Sequence, residues 1–362
     1  MLVFFTLFGC SGAVVDNAVD EYDRMRPGPD ALVDAGGDYV GGWWSDWTGA
    51  INPEDASGPD SALKGWIHLS FDAEDTFIVT NLADLSKAAN TALLVADKET
   101  GALDNVSLRY AFGDNQLQVS ADWDDFSNPA DQSYSRILDN GDVEFGIYAE
   151  HLSFVGVASP VGAPFIQTTR SVPGYGWLQF FENLEIVHAT LDRGDGPVEI
   201  LPGTLGSMDR TLGHCSTVQT WNWLSAIGTA TSASTGEERL ISLQIAKDQE
   251  GADPVVTALK YAVWVGDDLF KLPDVSFDYQ IEDQDTRETS DWRIRSTSGA
   301  DDALDVAFTP EFQRRDQQDF LWFVHTDFNQ YYGRADGALV HDGETWQITD
   351  LFALCEDSLL VL

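Results

Sequence analysis

Short runs in which apolar and polar residues alternate, or in which β-branched residues cluster, recur along most of this chain and are separated by turn-forming residues. Trp66–Phe71, Thr76–Thr80, Thr91–Ala96, Val106–Ala111 and Gln116–Ala121 follow one another at hairpin spacing, with Asp97–Gly101 and Gly113–Asn115 as turns. Val143–Tyr148 and Leu152–Val157 continue the series through Ala149–His151. The second half repeats it with Leu240–Ala246, Ala262–Val265, Val275–Gln280, Asp291–Ser296, Phe320–Thr326, Gly337–His341 and Thr345–Thr349. His341-Asp342-Gly343-Glu344 reads as a tight turn between the last two. Long amphipathic helices are absent, and Asp84–Asn90 is expected to form one or two helical turns. The chain is therefore expected to be all-β, an antiparallel sandwich or barrel. A split near Leu201–Gly206 predicts two β-domains in tandem, 37–205 and 206–362.

Composition narrows the picture. The 362 residues are 43% hydrophobic and 12% aromatic, enough to bury substantial cores. Twelve Trp, 10 Tyr and 20 Phe supply them, and a barrel of about eight strands has either a packed interior or room for one small ligand. Acidic residues number 60 against 20 basic ones, a formal charge of -40, and that field repels phosphate backbones. No nucleic-acid partner is expected. The acidic loops Asp122–Asp125 and Asp283–Asp285 lack calcium-loop spacing, and no Cys/His cluster has zinc spacing. Phosphate-binding, dinucleotide and GxSxG motifs are also missing. Neither a metal nor a cofactor is expected.

The first ten residues, MLVFFTLFGC, are too short to span a bilayer but suit a signal-peptide core. Their end, Leu7-Phe8-Gly9-Cys10, resembles a bacterial lipobox, so Cys10 is the expected lipidation site and the only membrane attachment. Residues 11–36 are polar and rich in Gly, Pro and Asp, and are expected to be a flexible acidic tether. Together these place the protein in the cell envelope, lipid-anchored at the outer membrane or the periplasmic face, with secretion as the alternative.

Candidate chemistry concentrates in Gly206–Trp223, which holds Asp209, Arg210, His214 and Cys215 before Trp221-Asn222-Trp223. An acid that protonates an alkene must stay protonated near neutral pH, which burial among aromatics favours, and Trp faces stabilise the resulting cation. Asp209 with Trp221 and Trp223 has those residue types. Adjacent residues of a strand point to opposite faces, so Arg210 is expected to look away from Asp209, and Asn222 away from both Trp residues. His214, Asp327, Asn329 and Tyr331 complete the candidate ligand-binding set, the last three in a loop-like stretch able to close a cavity mouth. Cys215 and Cys355 form one disulfide or remain two separately buried thiols.

Lys64-Gly65-Trp66, Leu94–Gly101, Thr220–Ser225, Ala262–Leu272, Phe308–Phe312, Thr326–Gly333 and Leu351–Asp357 resemble, in order, the bacterial domain-of-unknown-function family 2804. That family looks like a distant relative of the carotenoid 1,2-hydratase (hydroxyneurosporene synthase) and AttH group, whose members resemble two fused lipocalin-like barrels. The group's Met-Asp-His-x-Trp-Gly segment corresponds to Met208–Gly213, with Arg210 in place of the His and Leu212 in place of the Trp. Its Trp-Asp-Trp-like element corresponds to Trp221-Asn222-Trp223. The resemblance implies tandem lipocalin-like barrels, a hydrophobic small-molecule ligand, lipid or isoprenoid-like, and Asp209 on a cavity wall. Three readings follow. The protein binds such a molecule unchanged; or it is a hydratase, isomerase or cyclase using Asp209 as general acid; or it is a carbohydrate-binding or surface-interaction β-protein with exposed aromatics.

Overall fold

The computed structural model of the chain describes residues 22, 24–59, 63–84, 88–111, 117–120, 122–170, 173–214, 218–248, 260–272, 274–296, 301–320 and 324–361. Apart from one turn of 3-10 helix at Pro53–Asp55, every element among them is a β-strand. The first sheet contains β1 (Met25–Arg26), β2 (Gly42–Trp44), β3 (Leu63–Asp72), β4 (Thr76–Asp84), β5 (Ala88–Asp97), β6 (Leu103–Ala111) and β7 (Gln118–Val119). It continues with β8 (Asp125–Ser127), β9 (Tyr134–Ile137), β10 (Val143–Ala149), β11 (Leu152–Arg170), β12 (Gly176–Asp192), β13 (Pro197–Ile200) and β14 (Leu205–His214). The second sheet contains β15 (Val218–Ser232), β16 (Glu238–Asp248), β17 (Lys260–Val265), β18 (Asp268–Lys271) and β19 (Val275–Asp278). Its remaining strands are β20 (Trp292–Ser296), β21 (Ala303–Phe320), β22 (Val324–His341) and β23 (Glu344–Val361).

The strand orders are β6-β5-β4-β3-β14-β12-β11-β10-β9-β8-β7 and β18-β17-β16-β15-β23-β22-β21-β20-β19. The fold is all-β, as the alternation predicts: two curled sheets, antiparallel apart from the β1–β2 pair, of the lipocalin-like type that the resemblance implies. Each sheet curls around its own core. Phe71, Phe145 and Phe154 pack together in the first, and Trp292 stacks at 3.9 Å on Tyr279 in the second. These side chains pack in the two interiors. A third apolar layer, with Phe77, Phe165, Phe181, Trp223, Trp264, Tyr332 and Phe352, lies between the sheets.

That third layer explains which strands the pattern missed. The central strands are covered on both faces, so alternation fades; every residue of β14 except Leu205 is buried. The expected division at 205/206 shifts for the same reason. β14 hydrogen-bonds to β3 and β12, and the passage to the second sheet falls between His214 and Val218. Phe320–Thr326 spans the end of β21 and the start of β22 instead of forming one strand. In Asp84–Asn90, expected to be helical, Asp84 closes β4 and Ala88–Asn90 open β5. Residues 24–36 of the expected tether belong to the folded body: β1 pairs with β2, and Leu32 and Val33 are buried. The Asp342-Gly343 turn has positive φ at both positions, as a two-residue hairpin requires.

Gly213 is a point of close approach. Its φ is +153°, and a Cβ there would sit 2.2 Å from Gly176 O and 2.5 Å from Trp177 Cα. Backbone cannot yield as a flexible side chain does, so Gly213→Ala is expected to lower stability by about 2 kcal/mol, read as a reduced urea midpoint.

Candidate functional site

Period-2 alternation sorts β14 into two faces. Met208, Arg210 and Leu212 look toward the first half's own packing, and Ser207, Asp209 and Thr211 look toward the second sheet. Asp209 is 9% exposed and accepts hydrogen bonds from Thr211 Oγ1 (2.8 Å), Gln179 Nε2 (3.3 Å) and Trp66 Nε1 (3.3 Å). Arg210 takes the opposite face, as expected. Its guanidinium bonds Asp124 Oδ1 at 2.5 Å and Trp123 O at 3.1 Å, and lies 4.3 Å over Phe180.

Across the interface, β23 presents Glu356, 3% exposed. Its Oε2 accepts from Trp221 Nε1 at 2.7 Å and its Oε1 from Gln330 Nε2 at 2.8 Å. Gln330 Oε1 in turn accepts from Tyr332 OH at 2.9 Å and Arg314 Nη1 at 3.0 Å. Burial pushes the Glu356 carboxyl up to about 7; the donors Trp221 and Gln330 oppose this, and the nearby Asp209 charge adds to it. A carboxyl balanced near neutral pH can both give and recover a proton. Asp209 already serves three donors with its two oxygens. Glu356 is thus a second buried carboxyl beside Asp209, on the facing sheet.

The third member is His68 on β3, the register partner of Asp209. It is 7% exposed, with its ring 5.2 Å from Trp223 in T-shaped contact. Burial, and then the Arg314 charge, bring its pKa down to about 4, so the imidazole is neutral at physiological pH. Neither ring nitrogen has a hydrogen-bond partner. Trp223 Nε1, Gln179 Oε1, both side-chain polar atoms of Asn183, Gln244 Oε1 and Ser358 Oγ are also buried without partners. A packed interface ordinarily leaves few such groups, each costing about 1–3 kcal/mol. These groups concentrate between the two sheets.

The candidate residues divide among three places. Asp209, Trp221 and Trp223 meet between the sheets, with Trp223 near-parallel to Phe181 at 6.5 Å. Asn222 points the other way, bonding Tyr279 OH at 3.0 Å. It joins Asp327, Asn329 and Tyr331 in the second half, where β22 is continuous strand and not a loop at a cavity mouth. There Arg315 pairs with Asp327 at 3.1 Å, Asn329 donates to Asp357 O at 3.1 Å, and Tyr331 OH donates to Arg287 O at 2.7 Å. Polar residues facing other polar residues inside a strand give no alternation, which is why the stretch reads as a loop. His214 lies apart from Asp209, its Nδ1 2.8 Å from Tyr39 OH. Cys355 is a buried free thiol, its pKa raised by burial; Cys215 and Cys10 lie outside the described residues.

Glu356, His68 and Gln179 were not anticipated. Glu356 carries a signal in retrospect: on the apolar face of β23 it continues the alternation of Phe352 and Leu354, where a carboxyl is out of place. Nothing in the local sequence sets His68 apart. Among the described residues every tryptophan is buried or half-buried. One group of possible metal ligands occurs among them, Asp302, His341 and Asp342.

The sequence profile of the Domain of unknown function DUF2804 matches residues 182–360. That span includes Asp209 and Glu356 and leaves out Trp66 and His68. A solved structure assigned to AttH from Nitrosomonas europaea is similar over 85% of this chain and 97% of its own, at 13% identity and a TM-score of 0.51. CghA is similar over 93% and 98%, at 11% identity and a TM-score of 0.49. Kievitone hydratase from Nectria haematococca covers 92% and 98%, at 14% identity and a TM-score of 0.38. No curated protein matches the sequence.

Proposed function

Starting from a chain whose residues 182–360 match the DUF2804 family, we propose that it takes a hydrophobic, isoprenoid-like small molecule between its two sheets and transfers a proton to it from Glu356. The observation that carries this reading is Glu356 itself, a buried carboxyl protonatable at about pH 7, bonded to Trp221 and close to Asp209. Protonation of a carbon–carbon double bond leaves a cation; the Trp221 and Trp223 rings and the Asp209 carboxylate stabilise it. Neutral His68 then accepts a proton, either from a water that adds to the cation or from the carbon beside it. The first outcome is hydration and the second isomerisation, and the proton returns to Glu356. In the same reading an acylated Cys10 holds the protein at a cell-envelope membrane.

The test works on whatever hydrophobic molecule the protein carries. Solvent extracts of the purified protein, incubated in heavy water, are compared by mass spectrometry for wild type and Glu356→Gln. Both should release the same hydrophobic molecule, and only wild type should add deuterium to carbon, about 100-fold or more faster than the variant. Equal deuteration in the two removes Glu356 from the chemistry. A bound molecule that wild type never deuterates leaves a carrier, and the absence of any bound molecule ends the proposal.

A further inference from the structure

The reverse face of β14 borders a concavity. A cleft of about 480 Å³ is walled by the loop residues 47–51, by Asp122 and Asp124, and by Phe180 and Arg210 from β12 and β14. That volume is in the range of small-ligand sites. Because Asp209 and Arg210 are neighbours on one strand, the cleft and the inter-sheet site lie on opposite sides of the first sheet.

Its walls have a particular chemistry. Half-buried Trp47 stands at the rim, fixed edge-on against Trp44 at 6.5 Å. Arg210, 8% exposed, is locked over Phe180 and bonded to Asp124. Asp122 is held ionised by its hydrogen bond to Ser120, which brings its pKa down. Two carboxyl groups against one guanidinium, on a chain of charge -40, disfavour an anionic ligand. A simple cation would meet Arg210 in the same wall and offer no acceptor to it. A neutral polyhydroxylated ring suits these groups: hydroxyls both donate to carboxylates and accept from Arg210, and the ring's apolar face packs on the Trp47 indole.

We propose that this cleft is a binding site for a neutral sugar, distinct from the inter-sheet site. Saturation-transfer NMR on the full chain, with glucose, galactose, mannose and N-acetylglucosamine as probes, should show transfer to the ring protons of at least one. Trp47→Ala, a change at a half-buried loop position, should weaken that binding by about tenfold. Asp122→Asn, at an exposed side chain, should weaken it severalfold while the circular dichroism stays that of wild type. Glu356→Gln should bind the sugar as wild type does, which separates this site from the one between the sheets. Transfer to none of the four sugars, or equal transfer in wild type and Trp47→Ala, overturns the proposal.

Discussion

Replacing Glu356 by Gln should make the protein more stable relative to wild type as the pH rises, by roughly 3 kcal/mol between pH 4.5 and 7.5. The ordinary glutamate value of 4.5 applies to the unfolded chain, and the folded value is about 7. Between these the folded protein holds a proton that the unfolded one has released. The contribution of Glu356 to stability is therefore fully present below about 4.5 and is lost as the pH rises through 7. Gln cannot titrate, so the variant escapes that loss. His68 runs in the opposite sense. Its folded value of about 4 lies below the ordinary 6.5, so its contribution is present above 6.5 and is lost as the pH falls through 4. His68→Leu should accordingly gain roughly 3 kcal/mol on wild type as the pH falls from 6.5 to 4. The two groups nearly cancel in wild type, and each variant exposes the other's slope. Urea titrations at closely spaced pH values test both; a stability difference that does not change with pH for either variant would refute the buried placement of that residue.

Trp264→Ala should lower stability by about 4 kcal/mol and divide one calorimetric transition into two. Trp264 is wholly buried in the layer between the sheets, and its Nε1 donates to Ala163 O on β11 at 2.9 Å. Each sheet also has its own core, built by different side chains. Removing a wholly buried indole from the layer that joins them therefore costs cooperativity as well as stability. A single transition at a lower temperature would show that the other links suffice, among them Phe77 on Phe352 at 4.9 Å and Lys271 to Gln167 at 2.8 Å.

β3 to β6, β16, β17, β19 and β20 fall where short apolar or β-branched runs bounded by turn residues predict them, although β3, β4 and β17 are largely buried on both faces. The long strands β12, β14 and β15 were not legible, because polar residues on them face a contact between the sheets that forms only in the folded chain. The same limit applies to the site. Asp209, Trp221 and Trp223 lie within one short stretch and could be read together. Glu356 and His68 reach them from β23 and β3, and only the strand order makes them neighbours. The separation of Arg210 from Asp209, and of Asn222 from its flanking tryptophans, followed from strand geometry alone. The loop expected at Asp327, Asn329 and Tyr331 is a strand instead, because a polar row inside a strand has the composition of a turn.

The position of β14 also bears on synthesis. It is the last strand of the first sheet to leave the ribosome, yet it lies in the middle of that sheet, where Asp209 pairs with both His68 and Phe181. Until it emerges, β3 and β12 each present an open edge able to recruit a neighbouring chain. Pairing so distant in sequence is slow, and the nascent chain must wait with those edges bare. The strand that carries Asp209 thus decides when, during translation, the first half of the molecule stops being prone to aggregation.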